Sequence, residues 1–379
     1  MKVLFILIIK DSFGEREHAI NFALQLLNNQ IQSYFLISSE IKDSIKIFGF
    51  ETFELTKNSD KNKELLTYIL DSLKPKLIIC CEYYCMFPYI IEILNKSKIP
   101  IASMDATGLG EELNSDPLKI GKKIGYFTKI PPEIPKISPC PINDPTLKSE
   151  KNLFYWRLYP KKFNSNNIKQ KIKNSLGIKG KIVFMAISKW SYYAACFIGL
   201  KDYYPFLINM LKNYFSNLEE KIHIFFIAPF NIESFKSEDI FIYSLNLLPS
   251  ETYENLLLSS DLVISDNIIQ TSLGKALYCD IPTLVLININ HKPLTIYQYN
   301  IFPLKPIFPL NSKYCETLEI CEIFDYKITK EKIKQILFDP DYIKKLNQRR
   351  QNYFKLVNKL PLATDIINTL LHDFFSENI

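Results

Sequence analysis

Between Pro249 and Ile287 the chain reads PSETYENLLLSSDLVISDNIIQTSLGKALYCDIPTLVLI, and few folds accommodate that order. Tyr253 to Leu258 has the spacing of an amphipathic helix, and Leu262–Ile264 is a short apolar run of the kind a buried strand needs. A polar loop from Ser265 to Thr271 leads into a second helix through Tyr278, a turn at Asp280–Pro282 and another apolar strand. That succession is a βαβ unit with its loop at the carboxyl end of the first strand, where open parallel sheets bind ligands. The loop feeds a helix N-terminus at about Gln270–Ser272, whose free N–H groups and positive dipole end suit a phosphate. Anion binding is the reading this element favours.

The first half of the chain follows the same grammar. Lys2 to Ile9 is a continuous Val/Leu/Ile/Phe run, as expected of a parallel strand covered on both faces. Asp11-Ser12-Phe13-Gly14 makes a turn, and Glu15 to Asn28 is predicted helical, with Ala19, Phe22, Ala23, Leu26 and Leu27 on its apolar face. Further strands are expected at Gln32–Ser38, Phe50–Leu55, Lys76–Cys81 and Ile99–Met104, with helices at Ser44–Gly49, Lys61–Leu73 and Phe87–Asn95 between them. Alternation of this kind gives an α/β sheet with right-handed crossovers.

Regularity fails from Asp105 to about Phe163. Prolines at 131, 132, 135, 139, 141 and 145 are expected to exclude a long helix and central strands, which leaves a functional loop or a connector. Regular structure resumes with a helix from Ile168 to Leu176, stopped by Gly177, and a strand from Lys181 to Ile187. A helix at Tyr203–Leu218 and strands at His223–Ala228 and Ile240–Ser244 lead back to the Pro249–Ile287 stretch, and Lys330 to Phe375 reads as helical. The division expected is a Rossmann-like domain over 1–165, a second over 166–330, and C-terminal helices over 331–379.

Ser260-Asp261-Leu262-Val263-Ile264-Ser265, then Ser272-Leu273-Gly274-Lys275-Ala276-Leu277, then Asp280-Ile281-Pro282 resemble the C-terminal domain of GT-B glycosyltransferases and the related sugar-nucleotide epimerases. LGIKGKIVFMAIS resembles the opening of that domain, and IKKLNQRRQNYFKL its closing helices. The resemblance implies an α/β protein of two Rossmann-like domains facing a central cleft. It implies metal-independent transfer of a sugar from a nucleotide-diphosphate donor to an acceptor hydroxyl. The alternatives are a sugar-nucleotide epimerase of the same fold and a catalytically inactive GT-B-like binding protein. Two departures stand out: the family's paired glycines are replaced by Asn267 and Ile268 or Ile269, and the acidic residue that often holds the donor ribose is Lys275. An ammonium cannot accept hydrogen bonds from ribose hydroxyls, but it can pair with a phosphate.

Candidate site residues follow from both lines of reasoning. In the family, the glycine-containing turn after the first strand carries the acceptor base. Aligning Gly14 with that glycine puts Glu15 at the base position and His18 one helical turn beyond; either can take a proton from a hydroxyl. The plain alternative is that Glu15 and Glu17 favourably charge the first helical turn while His18 packs. Glu82-Tyr83-Tyr84 and Asp105 stand at carboxyl ends of expected strands, where Glu82 and Asp105 are alternative bases. Ser188 and Lys189, after the first strand of the second domain, are expected at the donor diphosphate, with Asp266, Asn267, Gln270, Thr271, Ser272 and Lys275. Thr271 or Ser272 can equally be helix caps. Gln298, in Tyr297-Gln298-Tyr299-Asn300, loosely resembles the segment that touches the donor sugar.

Composition narrows the classes. The formal charge of +6 is spread widely, without a dense Lys/Arg run interleaved with aromatics, so a nucleic-acid partner is not expected. The eight cysteines sit mostly in apolar contexts, which suits reduced cytosolic thiols, and Cys80-Cys81 with Cys85 lacks a second ligand pair at metal-like spacing. Asp339-Pro340-Asp341 breaks the helical tail and reads as a turn, not as a carboxylate pair holding a metal. MKVLFILIIKDSF reads as a first strand and not a signal peptide, so a cytoplasmic protein is expected. No metal or resident cofactor is expected, the nucleotide-sugar being substrate. A basic, aromatic-rich surface leaves room for peripheral contact with a membrane.

Overall fold

The computed structural model describes residues 1–8, 13–105, 130–147, 151–160, 165–187, 203–229, 232–246, 248–287 and 312–377. The chain forms two compact units, Met1–Pro160 with Val357–Ile379, and Lys161–Leu356.

The first unit is built on a seven-stranded parallel sheet. Its strands are β1 (Lys2–Leu7), β2 (Gln32–Ser38), β3 (Glu51–Leu55), β4 (Leu77–Cys81), β5 (Ile101–Met104), β6 (Lys136–Cys140) and β7 (Leu153–Arg157). Their order is β3-β2-β1-β4-β5-β6-β7, so the winding reverses between β1 and β4. Helices α1 (Phe13–Leu27), α2 (Lys42–Lys46), α3 (Ser59–Leu73) and α4 (Pro88–Ser97) connect the first five strands. The apolar runs that mark these strands are buried because helices cover the sheet; every residue of β4 is buried. Phe5 of β1 stacks on Phe35 of β2 at 4.9 Å and meets Phe22 of α1 edge-on at 6.1 Å. Phe22 in turn meets the fully buried Trp156 of β7 at 4.8 Å.

The proline-rich stretch contributes two strands, contrary to the expectation that its prolines exclude central ones. β6 lies between β5 and β7 and contains Pro139. The N–H of Lys136 donates to Asn152 on the β7 side, so by alternation Pro139 turns its nitrogen toward β5. β5 pairs with β6 only at Ser103↔Lys136 and Met104↔Ile137, and it ends before the level of Pro139. The missing N–H therefore points past the end of β5, and the proline breaks none of the described ladder bonds.

The second unit repeats the plan with α5 (Ser165–Leu176), β8 (Lys181–Ala186), α6 (Tyr203–Phe215), β9 (Ile222–Ile227), β10 (Phe235–Lys236), β11 (Ile240–Leu245), α7 (Ser250–Leu258), β12 (Leu262–Ser265), α8 (Thr271–Tyr278), β13 (Thr283–Ile287), β14 (Glu319–Glu322), α9 (Tyr326–Phe338) and α10 (Pro340–Val357). The order is β10-β11-β9-β8-β12-β13-β14, with the reversal between β8 and β12. Only the short edge strand β10 is antiparallel. Gly177 ends α5 in the left-handed region at φ +63, and Gly180 at φ +115 leaves no room for a side chain because a Cβ would lie 2.1 Å from the Lys221 carbonyl oxygen.

The last helix, α11 (Ala363–Glu377), belongs to the first unit. Buried Gln25 of α1 fixes it there. Its Nε2 donates to the carbonyls of Arg157 and Leu158, both at 3.0 Å, and its Oε1 accepts the N–H of Ala363 at 2.9 Å. Among the described residues, no helix is long and apolar enough to cross a membrane.

Candidate functional site

Open parallel sheets bind ligands where the strand order reverses, beyond the carboxyl ends of the strands. Each unit carries expected site residues at that place.

In the first unit, Glu15 lies in the first turn of α1, Glu82 directly follows β4, and Asp105 directly follows β5. Sheet hydrogen bonds hold the latter two: Glu82 N–H donates to Met104 O at 2.9 Å, and Asp105 N–H to Ile137 O at 3.1 Å. Glu82 adopts φ +60, a left-handed conformation that a residue with a side chain rarely takes and that clusters at functional sites. Glu82 and Asp105 are both buried. Oε2 of Glu15 is shut off from solvent without a hydrogen-bond partner. Burial pushes the Glu15 carboxyl up to about 7; a bond from its own backbone amide opposes the rise, and the charge of Asp105 adds to it. Burial also raises the thiols of Cys81 and Cys85, and the nearby carboxylates Glu82 and Glu15 raise them further, so neither is a thiolate nucleophile.

The other expected residues of this unit take different positions. Gly14 is already helical, since α1 begins at Phe13 and not after the glycine. It lies among the first-turn amides that a helix cannot satisfy internally. His18 is buried, with neither ring nitrogen bonded. Burial drives its pKa down to about 4, against a pull from Glu17, so the imidazole is neutral at physiological pH.

In the second unit, the turn from Ser265 to Gln270 closes on itself. Asn267 N–H donates to Ser265 Oγ at 2.9 Å, Ile269 N–H to Asn267 Oδ1 at 3.1 Å, and Gln270 N–H to Asn267 O at 3.2 Å. The Ser265 hydroxyl also bonds Gln270 Oε1, and Gln270 Nε2 donates to Ala186 O at 2.8 Å. Gln270 therefore ties the end of β12 to the end of β8 across the reversal point. Its side chain, spent there, does not cap α8. The side chains of Ile268 and Ile269 are buried. Thr271 and Ser272, both buried, form the first turn of α8, and Ser272 Oγ has no partner. The amides of Ile268, Thr271 and Ser272 are not used by the turn's own bonds.

Lys275 pairs with Glu254 of α7 at 3.0 Å, which draws its ammonium along the helix pair. Asp266 is fully buried at the end of β12. Ser188, Lys189 and Gln298 lie outside the described residues. Among the described residues, no three His, Cys, Asp or Glu side chains converge as a metal-binding set. Sequence reasoning missed the Gln270–Ala186 tie and the buried Tyr314, whose hydroxyl donates to Ile268 O at 2.8 Å. No local signal could have revealed the latter, because Tyr314 is 46 positions from its partner.

The paired sheets and their reversal points define the GT-B fold, and solved structures bear this out. The chain is similar to the forosaminyltransferase SpnP (14% identity, TM-score 0.61, 99% of each chain covered). It is also similar to the glycosyltransferase VinC in complex with DTDP (10%, TM-score 0.59, 99% of this chain and 100% of that one). A glycosyltransferase from Rickettsia africae matches at 11% identity and TM-score 0.58 over 99% of each chain. At such identities the likeness concerns the fold. The chain itself belongs to the "Family of unknown function (DUF6365)", whose model matches residues 22–292 and 289–374. No curated protein sequence matches it.

Proposed function

We propose that the protein transfers a sugar from a nucleotide-diphosphate donor to an acceptor hydroxyl, without a metal. The observation that carries this is the turn at the β8/β12 reversal point. It spends the amides of Asn267, Ile269 and Gln270 within itself, and the amides of Thr271 and Ser272 open α8, where a helix cannot satisfy them internally and an anion can. Two structures of this fold, VinC and the rhamnosyltransferase SpnG, are described as complexes with DTDP and thymidine diphosphate, which supports a nucleoside diphosphate as the ligand. Ser188 and Lys189 would meet the same diphosphate, and Gln298 the sugar.

The first unit supplies the acceptor base. Glu15, its carboxyl raised to about 7 by burial with a lesser push from the charge of Asp105, is matched to proton abstraction near neutral pH. In its own unit Glu15 is suited to take the proton of an attacking hydroxyl, and in the other unit the α8 amides are suited to take the charge of a diphosphate that leaves with the bonding pair. A second reading, a donor-binding protein without turnover, is favoured by one observation. Lys275, the sole cation of α8, is tied to Glu254, so α8 itself offers a leaving group only neutral donors.

The test is thermal unfolding in the presence of a panel of nucleoside diphosphates. A ligand at about 100 times its Kd stabilises by about 2.7 kcal/mol, a plain rise in Tm. No shift with any of them sinks the donor assignment. A shift without turnover toward any acceptor supports the second reading.

A further inference from the structure

The donor turn is locked from outside itself. The peptide joining Ile268 and Ile269 is planar, so its carbonyl and its N–H point in opposite directions. The carbonyl accepts the Tyr314 hydroxyl at 2.8 Å, and the N–H donates to Asn267 Oδ1 at 3.1 Å. Rotating this peptide breaks both bonds at once. The preceding peptide is held too: Asn267 O accepts Gln270 N–H at 3.2 Å, which turns Ile268 N–H the other way. Tyr314 is itself immobile. It is fully buried beside the ring of Tyr353 at 6.2 Å, and it opens the short 3-10 turn Cys315–Thr317, where its own carbonyl accepts the Thr317 hydroxyl.

This arrangement answers a problem that the sequence creates. A turn of Asn267-Ile268-Ile269 lacks glycine, and each of its peptides carries a carbonyl oxygen as well as an amide. A carbonyl rotated outward would present a lone pair to a phosphate and repel it. Resting on the donor reading above, we propose that Tyr314 is a positioning residue for the donor diphosphate. Its hydroxyl holds the Ile268 carbonyl inward, so that the turn offers amides and not an oxygen.

The test compares two ligands on the full chain and on Tyr314→Phe, which keeps the ring and removes only the hydroxyl. The ligands are the nucleoside diphosphate that most stabilises the wild type and its parent nucleoside. The variant should bind the diphosphate about 10-fold more weakly and the nucleoside within about twofold of wild type, the scale of one lost hydrogen bond. An equal loss for both ligands, or unchanged diphosphate binding, overturns the proposal. Asn267→Ala frees the other end of the same peptide and should give the same phosphate-selective loss; intact diphosphate binding there also overturns it. If the wild type binds no nucleoside diphosphate, the donor reading fails and this proposal with it. Normal wild-type binding beside an unaffected variant removes Tyr314 alone.

Discussion

At the carboxyl edge of the first sheet, carboxyl groups gather at Glu15, Glu82 and Asp105; at the same edge of the second, the turn from Ser265 to Gln270 holds one buried carboxyl, Asp266, and spends the amides of Asn267, Ile269 and Gln270 on bonds within itself. The first edge keeps Glu15 Oε2 unbonded at a cost in stability, as a group poised for proton transfer would be. The second gains stability from its hydrogen bonds and keeps a fixed shape, as a phosphate cradle should. On the proposed reading, one fold plan serves two chemistries because side chains, not strands, decide what each edge stores.

The largest effect that would break this contrast is catalytic. Glu15→Gln should lower kcat by about 10²–10⁴, the range for a lost general base, while leaving nucleoside diphosphate affinity unchanged. Wild-type turnover in that variant, measured on any accepted donor–acceptor pair, would remove the first edge from the chemistry.

Stability against pH sharpens the contrast further. Glu15 is raised from 4.5 to about 7 in the folded protein, so the unfolded chain releases its proton first and stability falls as pH rises through that window. The full loss above pH 7 is on the order of 3 kcal/mol. His18 is lowered from 6.5 to about 4, so its contribution is complete above pH 6.5 and is lost as pH falls toward 4. Between 4.5 and 6.5 the two slopes oppose each other and the wild type should be nearly flat. Glu15→Gln should uncover a rise with pH, and His18→Leu a fall; denaturant midpoints across that range decide it.

Ser265→Ala removes the acceptor of Asn267 N–H and the donor to Gln270, and should cost about 1–3 kcal/mol in urea unfolding. A cost near zero would show the turn to be looser than its bonds imply. The smallest effect belongs to Lys275→Met, which breaks a partly exposed pair with Glu254 worth about 0–1 kcal/mol. It should leave diphosphate binding within about twofold, and a tenfold loss by calorimetry would bring the ammonium back to the phosphate.

Much of the fold was legible because buried parallel strands must be continuous apolar runs. Gln32–Ser38 falls on the expected residues, and so does the α8 terminus at Tyr278. The strands β6 and β7 were not legible, because Pro139 reads as a breaker until one knows that its nitrogen faces the ended β5. The family resemblance brought Glu15 forward and local pattern Asp105, as separate candidates, but the push of Asp105 on Glu15 depends on elements far apart in the chain. Lys275 looked like a phosphate ligand because Glu254, its partner, is on another helix.

By itself the sequence determined the alternation of strand and helix, the two Rossmann-like halves and the edges where polar residues collect, since periodicity and punctuation act over a few residues. The tertiary structure alone decided that α11 returns to the first unit through Gln25, that Tyr314 grips Ile268, and that Glu15 titrates near neutrality. Each of these depends on groups brought together from distant positions, where burial and proximity set the energy and no local pattern records it.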